Sequence, residues 1–194
     1  MTSLFFRLAG IAGLSSLLVG LGGGAVERPV VGHSALGTFG ERTAAYAALH
    51  RKIAQTLPPL EAAENLHALY RTQAKLASGI RAARPHAQQG DIFTPAVAEI
   101  FRSTIATALS GVDTDAFLRD LYEDQEAVPG FRPHVYDSYP RWATHEVPIV
   151  LLLRLPLLPE EIEYRLIDHS LILWDVDANL IIDVLPDAIP WPTS

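Results

Sequence analysis

Residues Leu155–Pro186 read LPLLPEEIEYRLIDHSLILWDVDANLIIDVLP. Three runs rich in β-branched, aromatic and aliphatic residues, Glu163–Ile167, Leu171–Val176 and Leu180–Leu185, are parted by two polar breaks. Asp168-His169-Ser170 and Asp177-Ala178-Asn179 supply those breaks, and their residue types tolerate turn geometry. The pattern predicts a three-stranded antiparallel β-meander. A sheet this small is barely stable alone, so its apolar faces need cover from elsewhere in the chain. The fold class that follows is α+β: an N-terminal bundle of about four helices with the C-terminal meander packed against it.

The helices are read upstream of that stretch. Thr38-Phe39-Gly40-Glu41 has the spacing of a capping box, and beyond it Tyr46, Leu49, Ile53 and Leu57 fall on one helical stripe that Pro58-Pro59 ends. A second helix is predicted from about Leu60 to Ala87, with Leu66, Leu69, Gln73, Leu76, Ile80 and Ala83 recurring at threes and fours. Thr94-Pro95 opens a third, burying Val97, Ile100, Phe101, Ile105, Ala108 and Leu109, and Gly111 closes it. Asp113 or Thr114 caps a fourth, with Phe117, Leu118, Leu121 and Tyr122 inward and an acidic run outward. Prolines at 129, 133, 140, 148, 156 and 159 then forbid a continuous helix or central strand. The expected division is a signal peptide over 1–25, a linker over 26–37, a helical domain over 38–127, a Pro-rich extended segment draped on the helices over 128–160, and the meander over 161–194.

The beginning of the chain carries the location. Met1–Arg7 is a short head with one positive charge, Leu8–Leu21 is uncharged, and small residues at Gly23 and Ala25 fit a cleavage site before Val26. Export is therefore expected, to the periplasm or beyond the cell, with membrane attachment only if the leader stays uncleaved. The chain contains no cysteine, which excludes disulfides, thiolate metal sites, cysteine nucleophiles and a lipoprotein anchor. Its formal net charge is −7, and residues 128–194 carry 4 basic against 10 acidic side chains. Such a balance repels phosphate backbones, so no nucleic-acid partner is expected.

Chemistry-bearing residues gather in the last third. Asp175-x-Asp177-x-Asn179 opens like a calcium loop, but Leu180 stands where the turn glycine belongs and Pro186 where a bidentate Glu belongs, so a hairpin turn is the reading. His134, Asp137, His145 and Glu146, with His169, are ligand types for zinc or nickel without a tight ligand spacing. The metal candidates are accordingly His134, His145, His169, Asp175 and Asp183. Gly32-His33-Ser34-Ala35-Leu36-Gly37 approaches a nucleophile elbow, with its second glycine one place late and no preceding core strand. Glu160, Glu161 and Glu163 flank the entrance to the first strand, where charges ordinarily guard a sheet edge. Asp183 lies between Ile182 and Val184, so if it points inward it needs a partner, and Arg165 or Arg154 is the expected one. No catalytic residue and no cofactor is assigned.

Leu155, Pro156, Leu158, Pro159, Tyr164, Arg165, Leu171, Leu173, Asp175, Val176, Leu180, Ile181, Asp183 and Val184 together resemble the closing β-module of RcnB-like bacterial periplasmic proteins. That resemblance covers about 30 residues and implies a role in periplasmic metal homeostasis without a defined catalytic residue. The chain departs from it by carrying Asp168-His169 where a turn glycine is usual, and a helical domain where the family has a His/Arg/Gly-rich region. The whole chain also resembles exported bacterial proteins of unknown function. The expectation is an exported envelope protein acting as a non-catalytic binding or interaction module, toward a protein or cell-envelope partner. The alternatives are a metal-dependent or acid–base hydrolase built from the His, Asp and Glu residues of 134–183, and a periplasmic metal-homeostasis protein.

Overall fold

The computed structural model describes residues 29–59, 65–122, 131–140 and 147–190. Among them are five helices, α1 (Pro29–Ala54), α2 (Leu66–Ala83), α3 (Pro95–Ala108), α4 (Thr114–Tyr122) and α5 (Ile149–Leu152). Three strands follow, β1 (Ile162–Ile167), β2 (Ser170–Asp175) and β3 (Leu180–Leu185). They pair antiparallel in the order β1-β2-β3, so the arrangement is α+β and the C-terminal sheet is a meander. The leader, the acidic residues 123, 124 and 126, and His145 and Glu146 lie outside the described residues.

Helix α1 begins nine residues before the sequence places it, absorbing most of the expected linker 26–37. Pro29 suits a first helical position because its missing N–H would have no partner there. Phe39 is fully buried and Ala35 nearly so, and this tertiary burial overrides the weak helix propensity of the glycines nearby. Thr38 is consequently no cap: its hydroxyl donates back to the Ser34 carbonyl, four residues earlier in the same helix. Helix α2 is shorter than expected, capped by the Asn65 side chain, which accepts the Ala68 N–H at 2.9 Å. Helix α3 starts where Thr94-Pro95 predicts, and Asp113 caps α4 by accepting the Ala116 N–H.

The main core lies between the helices and one face of the sheet. Phe39, Phe93 and Phe101 form a ring cluster, Phe101 standing 5.0 Å from Phe39 and 5.2 Å from Phe93, and Tyr164 from β1 extends it. Leu171, Leu173, Leu180, Ile182 and Leu185 join them. Each such side chain buried contributes roughly 1.5–3 kcal/mol. The opposite face of the sheet carries a second cluster of Ile167, Ile172, Ile181 and Val184 under Tyr139, with Phe131 and Trp174 at its margin. Every residue of β3 is buried as a result.

Residues 131–140 supply that second cover. This segment is expected to drape on the helices; it lies instead over the far face of the sheet and along the outer edge of β3. Ser138 bridges to Leu180, Tyr136 donates its N–H to the Ile181 carbonyl, and Ile181 donates to the Asp137 carbonyl. The reason is the sheet itself, which is apolar on both faces and, among the described residues, has helices against only one. Two bonds tie this strap to α2 as well: Arg81 donates to the Tyr136 carbonyl and the Tyr136 hydroxyl to the Arg84 carbonyl. Between Pro148 and Pro156 the chain is free of proline, and there it winds into the single turn of α5. Among the described residues no helix is long and apolar enough to cross a membrane.

Candidate functional site

Helix α1 carries Tyr46 and His50 one turn apart on its buried face, and both reach the end of β2. The Tyr46 hydroxyl donates to Asp175 Oδ2 at 2.6 Å, and His50 Nδ1 lies 2.7 Å from the same oxygen. The other oxygen, Oδ1, accepts the N–H of Ala178 at 2.8 Å, which shapes the β2–β3 turn. His50 Nε2 faces Asp177 Oδ2 at 3.5 Å. Asp175 is fully buried and His50 only 3% exposed. Burial alone lowers the affinity of His50 for its proton, but the hydrogen bond and charge of Asp175, then the charges of Asp177 and Glu161, outweigh it, so its pKa is raised. Burial, followed by the Asp175 charge, pushes the Tyr46 phenol far up.

A histidine bound to a buried aspartate is half of an acid–base relay. Here both ring nitrogens face carboxylates, so neither remains to take a proton from a nucleophile. The arrangement is a clamp between helix and sheet. Arg51 and Glu161, 2.6 Å apart, close the same junction nearer the solvent.

Asp183 forms a second buried knot. The sheet register slips between Leu173 and Trp174, whose partners are Asp183 and Ile181, so Ile182 is an extra residue on β3. That bulge resets the alternation and turns Asp183 toward the helices. There Oδ1 accepts the N–H groups of Gly90 and Val184, each at 2.8 Å, and Oδ2 those of Ile92 and Phe93, each at 2.7 Å. Gly90, with φ +88°, adopts the conformation that aims its amide at the carboxylate. Neither Arg165 nor Arg154 partners Asp183, contrary to the expectation from sequence. Arg165 pairs with Glu163 and lies over the Trp174 ring on the other face. Burial raises the Asp183 pKa while the four amide donors pull against it.

His134 and His169 line the same cleft, of about 420 Å³, rimmed by Arg132, Asp168, Ser170 and Asp187. His134 is held near Asp137, which accepts its backbone N–H at 2.8 Å. His169 is almost buried and places Nδ1 3.0 Å from the Ile189 carbonyl, while its own carbonyl accepts the N–H groups of Ala188 and Ile189. Asp175 and Asp183 are elsewhere, sealed in the two interior knots, so the four described metal candidates are not brought to one place. His145 lies outside the described residues. Among the described residues no three His, Cys, Asp or Glu side chains converge to hold a metal ion. The sequence reading missed His50. Its signal was there, because it falls four residues after Tyr46 on the buried stripe, where a histidine must find a partner.

No protein-family model, no curated protein and no solved structure matches this chain.

Proposed function

We propose that this chain is an exported envelope protein and a non-catalytic binding module, whose contact surface is the cleft beside the C-terminal sheet. The observation that carries this reading is the fate of Asp175 and Asp183. Both are fully enclosed and have their oxygens taken by His50, Tyr46 and five backbone amides. They hold the fold together and have no access to a substrate. The groups that do meet solvent, Arg132, His134, Asp168 and Asp187, are exposed and of mixed charge around a polar cleft, a setting suited to recognition by hydrogen bonds and ion pairs. Export is supported by the apolar stretch Leu8–Leu21 and the small residues Gly23 and Ala25.

Site-specific photo-crosslinking in the producing cell tests the binding half. A cross-linker placed at Asp187 on the cleft rim gives a discrete adduct, and one placed at Thr107 on the exposed side of α3 does not. Hydrolysis of any small substrate that disappears with His134→Ala overturns it. For export, the N-terminus of the mature protein begins at Val26; a cytoplasmic chain still starting at Met1 refutes that half.

A further inference from the structure

The two edges of the sheet are treated differently. The outer edge of β3 is closed by the strap through Ser138, Tyr136 and Asp137. The outer edge of β1 meets no such strand among the described residues. Ile167 and Ser170 flank a two-residue turn, so they exchange both hydrogen bonds, and the alternation makes Arg165↔Ile172 and Glu163↔Trp174 the next bonded pairs. The backbone groups of Tyr164 and Leu166 therefore point away from β2. Among the described residues only the Ile162 N–H is satisfied locally, by the Pro159 carbonyl at 3.0 Å. Beside this edge runs an open groove of about 370 Å³, its far wall made by Leu152, Pro156, Leu157 and Leu158, and Leu157 is 97% exposed.

We infer that the β1 edge is a self-association surface, on which β1 of a second copy of this chain pairs antiparallel about a twofold axis at Tyr164, joining two three-stranded sheets into one of six. The sequence of the strand selects this occupant. With Tyr164 opposite its own copy, Glu163 lies opposite the second copy's Arg165, and Arg165 opposite its Glu163, so both cross-strand positions are complementary in charge. Ile162 and Leu166 meet each other on the core side. The register also spends the edge groups correctly: each Tyr164 N–H reaches the other Tyr164 carbonyl, and each Leu166 N–H reaches an Ile162 carbonyl. The Ile162 N–H is already engaged by Pro159, so the Leu166 carbonyl is the one group left without a donor at each end. Centring the axis on Leu166 instead would set Arg165 against Ile167 and lose the charge match. An open edge beside exposed apolar surface is a liability for a lone protomer and is removed by this pairing. The inference does not depend on the function proposed above.

The test is a charge exchange on the mature chain, followed by sedimentation velocity across a concentration series. Wild type passes from monomer to dimer as concentration rises. Glu163→Arg and Arg165→Glu each place like charges opposite one another twice, weakening self-association roughly tenfold or more. Mixing the two variants restores a dimer, because Arg at 163 then faces Glu at 165 and the unchanged pair remains matched. Circular dichroism and the unfolding midpoint of each variant show that it is folded. Hydrogen exchange supplies the second readout: the Tyr164 and Leu166 amides slow as the dimer forms. A wild-type chain that stays monomeric overturns the inference, as does a dimer indifferent to both substitutions whose Tyr164 and Leu166 amides exchange freely. Edge protection produced only by adding a foreign extended peptide also overturns it, since the occupant would then be another protein.

Discussion

His50 ties a protonation event to the integrity of the fold. Its folded pKa is raised by Asp175, Asp177 and Glu161 against the opposing effect of burial, so the folded chain binds the proton more tightly than the unfolded one. The resulting stability is fully present below the ordinary imidazole value of about 6.5 and is lost as pH rises through the raised value. The unfolding midpoint of the wild type therefore falls as pH rises from about 6.5 through the raised value, and His50→Gln flattens that slope while lowering the midpoint at the acid end. Asp183 gives a different prediction, because its four donors all require acceptors. Asp183→Asn sets an NH₂ group against two backbone N–H groups, and each stranded donor costs about 1–3 kcal/mol. Urea unfolding should show the full loss with an unchanged slope. That Asp183 faces inward and needs partners could be read from its apolar neighbours. Which partners could not, because the bulge at Ile182 and the amides of residues 90–93 leave no trace in side-chain pattern.

At the scale of elements, the strands were the most legible part. Their alternation and the turn residues between them set β3 to its observed ends and β1 and β2 within one residue. The start of α1 was obscured because Pro29, Gly32 and Gly37 resemble linker composition, and only contact with Phe93 and Phe101 shows why Phe39 holds that region helical. Helix α2 approaches α1 closely at Gly79, where an added Cβ would stand 2.7 Å from Ile53 Cγ2. Gly79→Ala is normally favourable in a helix, yet here it forces α1 and α2 apart and destabilises by about 1–3 kcal/mol. The companion change Ile53→Val removes the outermost methyl while keeping Cγ2. It therefore restores less than half of the loss in thermal unfolding, whereas Ile53→Ala in the Gly79→Ala background relieves the overlap itself.

Across the whole molecule, the sheet is a filling between two covers made by distant parts of the chain. Leu173, Leu180 and Ile182 face the helices, while Ile172, Ile181 and Val184 face the strap. A fragment holding residues 131–194, without α1–α4, therefore uncovers most of one apolar face, and a proton–nitrogen correlation spectrum of it shows the narrow amide dispersion of an unfolded chain. In the intact chain, tryptophan fluorescence and far-ultraviolet dichroism report the same midpoint, because sheet and helices unfold together. The clamp has a temporal side too. Tyr46 and His50 precede Asp175 by 129 and 125 residues, so a growing polypeptide finishes α1 long before the residue that locks it emerges. Until then α1 has no buried carboxylate to clasp, so this closure is among the last long-range contacts that a chain made from its N-terminus can complete.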